Sequence, residues 1–233
     1  MNILAVGAHP DDLELLCAGT LAKYAKSGNS IYMYHTCNGD KGGFNKTSDE
    51  IRIERELEAK NSAKVINAKS FGGDFEDGNV YVNDQTKRLM VEIIRRCCAD
   101  VIITHHVNDY HTDHINTSLL VTEANYMASI QNYKTKTSYL SKIPLIYFMD
   151  TLGGINFNPE YYVDISETMK IKLKMLSCHK SQVDFLRKHS NIDIIEWIEI
   201  SGRYRGFQSG VKYSECFTQK IDWPVGKSKN LLP

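Results

Sequence analysis

Short apolar runs alternate with longer stretches of helical periodicity through the N-terminal half of the chain. Asn2–Gly7 is a compact apolar run ending in glycine, the pattern of a buried strand. Ala8-His9-Pro10-Asp11-Asp12 follows, then a helical stretch Leu13–Ser27 with Leu15, Leu16, Ala18, Leu21, Ala22 and Ala25 apolar and Gly28 as its stop. Ile31–Thr36 predicts a second strand, Asn38–Gly43 a glycine-rich loop, and Ser48–Ile66 a charged helix. Gly72–Gly78 reads as a loop, Thr86–Cys98 as a helix carried by Leu89, Val91, Ile93 and Ile94, and Val101–Thr104 as a strand. Farther on, Asn116–Ser129 and Glu167–Cys178 predict helices, and Pro144–Met149, Tyr161–Ile165 and Tyr213–Ile221 predict strands. Asp193–Tyr204 fits the helical and the strand period partly, and the polar tail from Pro224 is expected to be loose.

This alternation predicts an α/β fold with a mostly parallel sheet and helices on its faces. The C-terminal ends of parallel strands share one edge, and ligands bind there. Both histidine-containing segments follow strands, Asn2–Gly7 and Val101–Thr104, so both are expected on that edge.

At 233 residues and roughly 150 per domain, with no linker or repeat, the chain reads as a single domain spanning 1–233. A content of 42% hydrophobic and 24% charged residues excludes a disordered or fibrous chain. Lys+Arg and Asp+Glu each number 28, and without net basic charge a dedicated nucleic-acid binder is not expected. The start lacks the basic region of a signal peptide, and no run is long and apolar enough to span a membrane, so the expected location is the cytoplasm. The six cysteines include no Cys-x-x-Cys pair and are read as reduced thiols.

Two segments carry candidate chemistry. In His9-Pro10-Asp11-Asp12, the i and i+3 positions of a strand-to-helix turn place His9 and Asp12 where they could share a cation. The competing reading is a helix cap, since an aspartate after proline commonly accepts from the first helical amides. The stretch from His105 to His114 holds half of the chain's eight histidines, together with Asp109 and Asp113. Imidazole and carboxylate together form a zinc- or iron(II)-type donor set, and three protein ligands with an open position mark a catalytic zinc. His9, Asp12 and His114 would supply that set, leaving Asp11, His111 and Asp113 for proton transfer and orientation. His105 and His106 end a strand and are not expected to be ligands. Trp197 and Trp223 are read as packing residues, while Tyr110, Tyr204 and Tyr213 are minor candidates for a pocket wall.

Ala8-His9-Pro10-Asp11-Asp12-Leu13-Glu14 and Asp109-x-His111-x-Asp113-His114 resemble the paired motifs of the PIG-L/LmbE family of zinc-dependent N-deacetylases. The resemblance continues through Gly19-Thr20-Leu21-Ala22, Arg55-Glu56-Leu57-Glu58-Ala59, Asp164-Ile165-Ser166, His179-x-Ser181-Gln182 and Tyr213-Ser214-Glu215-Cys216-Phe217, spanning residues 2 to 217. It implies a three-layer Rossmann-like α/β fold. It also implies a hydrolase that removes acetate from an N-acetylglucosamine-containing or related amino-sugar conjugate, a small-molecule substrate.

By the same resemblance His9, Asp12 and His114 bind Zn2+ (Fe2+ could use the same ligands), Asp11 is the general base, and His111 is the electrophile or acid. Asp113 would be partnered to His111, and Arg55 would bind substrate, with Arg52 the second choice. A homo-oligomer, trimer or hexamer, is implied as well. Cys216 stands where the family has glycine and could crowd a pocket wall, Ala18-Gly19 replaces the more frequent Gly-Gly, and the loops Gly39–Lys46 and Lys134–Lys142 have no counterpart. Substrate choice is expected in such loops. Two rivals follow from the same residues: a metal-dependent hydratase of a small unsaturated acid, favoured by a basic pocket mouth, and a non-catalytic metal-binding module, favoured by a closed four-ligand shell.

Overall fold

The computed structural model describes residues 1–222 and 230–233. Trp223 and the first part of the expected loose tail, 224–229, lie outside the described residues. Where the chain resumes, the Leu231 amide donates to Tyr147 Oη at 2.9 Å and its carbonyl accepts from Tyr24 Oη at 2.7 Å. The last four residues are therefore tied to the core rather than loose.

Seven strands form one sheet in the order β3-β2-β1-β4-β5-β7-β6. They are β1 (Asn2–Gly7), β2 (Ser30–Cys37), β3 (Lys69–Phe75), β4 (Val101–Thr104), β5 (Leu145–Met149), β6 (Tyr161–Asp164) and β7 (Ser214–Gln219). The pairings of β1 through β5 are parallel, and β7 runs antiparallel between β5 and β6. Among the described residues eight α-helices cover the sheet: α1 (Asp12–Leu16), α2 (Ala18–Lys26), α3 (Ser48–Lys64), α4 (Asp84–Arg96), α5 (Thr112–Ala128), α6 (Met169–Leu176), α7 (Lys180–Ser190) and α8 (Ile194–Ser209).

The unbroken apolar runs of β1, β4 and β5 follow from burial on both faces. Ile3, Ala5, Val101, Ile103, Leu145 and Tyr147 face one core cluster. Leu4, Val6, Ile102, Ile146 and Phe148 face the other. The layers are helix, sheet, helix, as the alternation predicts. Among the described residues no helix is long and apolar enough to cross a membrane.

Three expected elements differ from the sequence reading, and one helix is added. The helix expected over Leu13–Ser27 breaks at Cys17 (φ −143°, ψ 4°) into α1 and α2. The buried Glu215 carboxylate accepts from the Gly19 and Thr20 amides at 2.9 and 2.7 Å, serving the open donors at the start of α2. Lys172 Nζ balances it, 2.6 Å from Glu215 Oε1 and 2.8 Å from the Leu15 carbonyl that the break frees. The ambiguous Asp193–Tyr204 is helical, because Asp193 caps the amides of Ile195 and Glu196 and Gly210 (φ 73°) ends the helix beyond Ser209. Helix α7 was not expected.

The third difference is β3, read as a loop because of its glycines. Its ladder runs to His35–Gly72 and resumes at Cys37–Phe75, so β3 carries one extra residue opposite Thr36. This β-bulge needs glycine: Gly72 sits at φ 123°, where a Cβ would lie 2.1 Å from the His35 carbonyl oxygen. Gly78, at φ 82°, has open space around it. Gly78→Ala should therefore cost roughly 1 kcal/mol for its backbone angle alone. Gly72→Ala should cost roughly 1–3 kcal/mol more for the collision. Urea midpoints at unchanged slope measure both, and equal losses would remove the steric reading of the bulge.

Candidate active site

The site is assembled by two neighbouring parallel strands. Val6 of β1 lies opposite Thr104 of β4, so the turns leaving both strands emerge side by side. The Ala8 amide donates to His105 Nε2 across that junction at 2.9 Å. This bond fixes the His105 tautomer, since an accepting Nε2 leaves the proton on Nδ1.

Asp12 is the hub. It is 3% exposed, and its Oδ2 accepts from the His9 amide at 2.6 Å. The same oxygen lies 3.4 Å from His9 Nδ1 and 3.2 Å from His105 Nε2, while Oδ1 lies 3.4 Å from His114 Nε2. Donor atoms of His9, Asp12 and His114 all fall within 4.8 Å of one another. The structure thus brings together the three residues singled out from sequence.

Each imidazole is oriented by a carboxylate behind it. His9 Nε2 is 3.1 Å from Asp113 Oδ2, which also accepts from the Gly78 amide at 2.8 Å. His114 Nδ1 is 3.1 Å from Asp109 Oδ2, and the His114 ring stacks on His105 at 3.9 Å between centroids. These contacts turn His9 Nδ1 and His114 Nε2 toward Asp12. Asp109, part of the second motif but given no separate role from sequence, and His105, not expected to be a ligand, are the supports of His114.

Charge balance follows from burial. Burial alone would raise Asp12, but His114 and His105 outweigh it and hold the carboxyl well below the usual range. Burial alone would lower His9 and His114. For His9 the facing carboxylates Asp113 and Asp12 reverse this and raise it well above 6.5. For His114 Asp12 and Asp109 carry it up to about 9. Such a pocket holds its negative charge by keeping protons on two imidazoles, and a divalent cation could replace those protons. Two imidazoles and one carboxylate form a zinc- or iron(II)-type set, so these residues fit such an ion.

Asp11 occupies the cap position of α1, yet its side chain makes no capping bond. It is held at φ 139°, ψ −24°, a conformation that residues with a Cβ rarely adopt. The helix-cap reading therefore fails, and the carboxylate is left for another task. Burial raises Asp11 to about 6, with Arg55 pulling the other way. Arg55 Nη2 lies 3.3 Å from Asp11 Oδ1 and donates to the Pro10 carbonyl at 2.6 Å, while Nη1 donates to the Gly39 carbonyl at 3.2 Å. With 3% exposure, Arg55 holds the Asp11 turn from below instead of reaching toward a ligand, as the resemblance implied. Behind it, His179 Nε2 lies 3.2 Å from Glu14 Oε1; burial would raise Glu14, but His179 brings it down to about 2.

His111 caps α5, its Nδ1 accepting the Asp113 amide at 3.2 Å. Asp113, expected to orient His111 through its carboxylate, gives that carboxylate to His9 and meets His111 only through its backbone. Tyr110 stands at the mouth, 6.2 Å from the His114 ring and 53% exposed. The other candidates lie elsewhere. Trp197 and Tyr204 are exposed on α8, and Tyr213 is buried against Glu199. Arg52 pairs with Asp49. Cys216 is buried in β7 and lines a separate small cavity with Lys172, Arg205 and Asp150, so it does not crowd this cluster.

Comparison with known proteins agrees with this geometry. The PIG-L family model, described as GlcNAc-PI de-N-acetylase, matches residues 4–125, a span that contains both histidine segments. The uncharacterized deacetylase YaiS of Escherichia coli is 30% identical over 192 residues, covering 77% of this chain and 91% of its own. A diacetylchitobiose deacetylase from Thermococcus kodakarensis is 25% identical over 230 residues, covering 92% of this chain and 81% of its own. Among solved structures, the 4-carboxy-2-hydroxymuconate hydratase of Pseudomonas putida superposes with a TM-score of 0.84 at 20% identity, over 99% of this chain and all of that one, a likeness of fold. With half of its length under the family model and both motif segments converging on one buried cluster, the chain belongs to the PIG-L de-N-acetylase family.

Proposed function

We propose that this protein is a divalent-metal-dependent hydrolase that removes the acetyl group from an N-acetylglucosamine-containing or related amino-sugar conjugate. The observation that carries the reading is Asp11: a buried, strained, uncapped carboxylate standing beside a two-imidazole, one-carboxylate cluster. The family description and the deacetylases among the relatives support the substrate class.

His9 through Nδ1, Asp12, and His114 through Nε2 would hold the cation, zinc or iron(II). Bound there, it would supply Lewis acidity that polarises the amide carbonyl and acidifies water. The chain's own groups do the rest. Asp11, raised to about 6, is ionised at neutral pH yet basic enough to take a proton from the attacking water. Arg55 keeps the carboxylate in place and limits the rise. His111 is lowered by burial and is therefore neutral, and because its Nδ1 accepts a backbone amide its proton sits on Nε2. That N–H is free to donate to the oxyanion developing on the carbonyl. Asp11 then returns its proton to the leaving amine.

The decisive experiment is acetate release by zinc- or iron(II)-reconstituted protein across a panel of N-acetylglucosamine conjugates, with a chelated control. Release abolished by chelation and restored by either metal is the expected result. Hydration of an unsaturated carboxylic acid without amide hydrolysis would overturn the reading.

Asp11→Asn should leave the cation bound and lower kcat by roughly 100-fold or more; near-normal turnover would take Asp11 out of the base role. The pH profile carries a sign. Below about 6 Asp11 keeps its proton and cannot act as a base, so kcat/KM should rise as pH increases through about 6 and then level off. A flat profile between roughly pH 5 and 7 would contradict that assignment.

A further inference from the structure

His9 faces a second group of donors that the proposed reaction leaves unused. Cys37 ends β2, fully buried, and its amide donates to the Ala8 carbonyl at 2.8 Å, which sets the thiol against the turn that carries His9. Asp77 reaches the same place from beyond the β3 bulge. Its Oδ1 accepts from the Gly39 amide at 2.9 Å and its Oδ2 from the Lys41 amide at 3.3 Å. A ring nitrogen of His9, Cys37 Sγ and an Asp77 oxygen lie within 4.8 Å of one another. Among the described residues, Cys37 is the only cysteine in such a group.

Tight packing explains the buried thiol, and the Gly39 and Lys41 amides fix Asp77 with one carboxylate oxygen within reach of it and of His9. Thiolate, imidazole and carboxylate together suit zinc and softer ions such as cadmium, and not magnesium or calcium. We propose that Cys37, Asp77 and His9 form a second, thiolate-containing site for a soft divalent cation that competes with the His9–Asp12–His114 site for His9. A neutral imidazole offers one lone pair, so His9 serves one cation at a time. On coordination the Cys37 thiol releases its proton to solvent. A soft cation that favours the thiolate, such as cadmium, therefore withdraws His9 from a zinc- or iron(II)-loaded first site and inhibits the enzyme. The competition rests on the metal reading of His9–Asp12–His114, whereas the thiolate site itself does not.

The test uses full-length protein carrying C98S and C178S, which removes the exposed and half-exposed thiols and leaves the buried ones. Cadmium titration of this protein should produce thiolate-to-cadmium charge-transfer absorption in the ultraviolet, saturating at one thiolate per chain. Adding C37S should abolish the band. D77N, which leaves the thiol in place, should shift its appearance to higher cadmium and keeps the test open if C37S fails to fold. In turnover assays of the zinc-loaded protein, added cadmium should inhibit the parent, while C37S keeps basal activity and loses the inhibition. No band in the parent, a band unchanged by C37S and by D77N, or cadmium inhibition that persists in C37S would overturn the proposal. Failure of the first site looks different: His114→Ala would then leave both the first equivalent of cation and turnover unaffected, whatever the cadmium band does.

Discussion

Burying the Asp12 carboxylate is the constraint around which the rest of the site is arranged. Taking such a charge out of water costs several kcal/mol unless positive groups and hydrogen-bond donors meet it. Here the His9 amide meets one oxygen, and three imidazoles close around the pair. Two further carboxylates, Asp109 and Asp113, hold the outer nitrogens of His114 and His9. The arrangement raises both histidines, and that stored proton charge is what a divalent cation would displace.

Adjacent residues Asp11 and Asp12 show how one turn prepares two carboxylates for different work. Asp12, ringed by imidazoles, is held ionised well below its usual range. Asp11 sits in a buried position whose one nearby guanidinium only partly offsets desolvation, and it rises to about 6. Separating neighbouring carboxyls in this way divides ligand from base. The separation depends on the φ of 139° at Asp11, which the Arg55 bonds to Pro10 and Gly39 maintain from below. Backbone strain persists where surrounding contacts over-determine it.

The scaffold that makes this possible is itself held by buried charge. Glu215 on β7 reaches across to the start of α2, and Lys172 on α6 neutralises it while taking the Leu15 carbonyl. The break at Cys17 thus has the Gly19 and Thr20 amides and the Leu15 carbonyl paired, and α1, which carries Asp12, is left short. At the other side, the bulge at Gly72 adjusts the end of β3 so that Asp77 and the Gly78 amide arrive over β1 and β2.

Local pattern was enough for β1, β4, β5 and the long helices, because burial on both faces or on one stripe writes itself into the spacing of apolar residues. It also singled out His9, Asp12 and His114, which the structure brings together, since no packing rule asks for that concentration of histidine. It misread β3, whose glycines look like a turn until a bulge requires them, and left α8 undecided until the Asp193 cap was seen. It could not tell that Asp113 serves His9, that Asp109 and His105 hold His114, that Arg55 lies beneath the site, or that Cys37 and Asp77 share a corner with His9. Most of those contacts join segments distant along the chain, and even the local ones, Asp109 and His105 on His114, depend on side-chain direction and desolvation that are decided only when the strand ends are brought together.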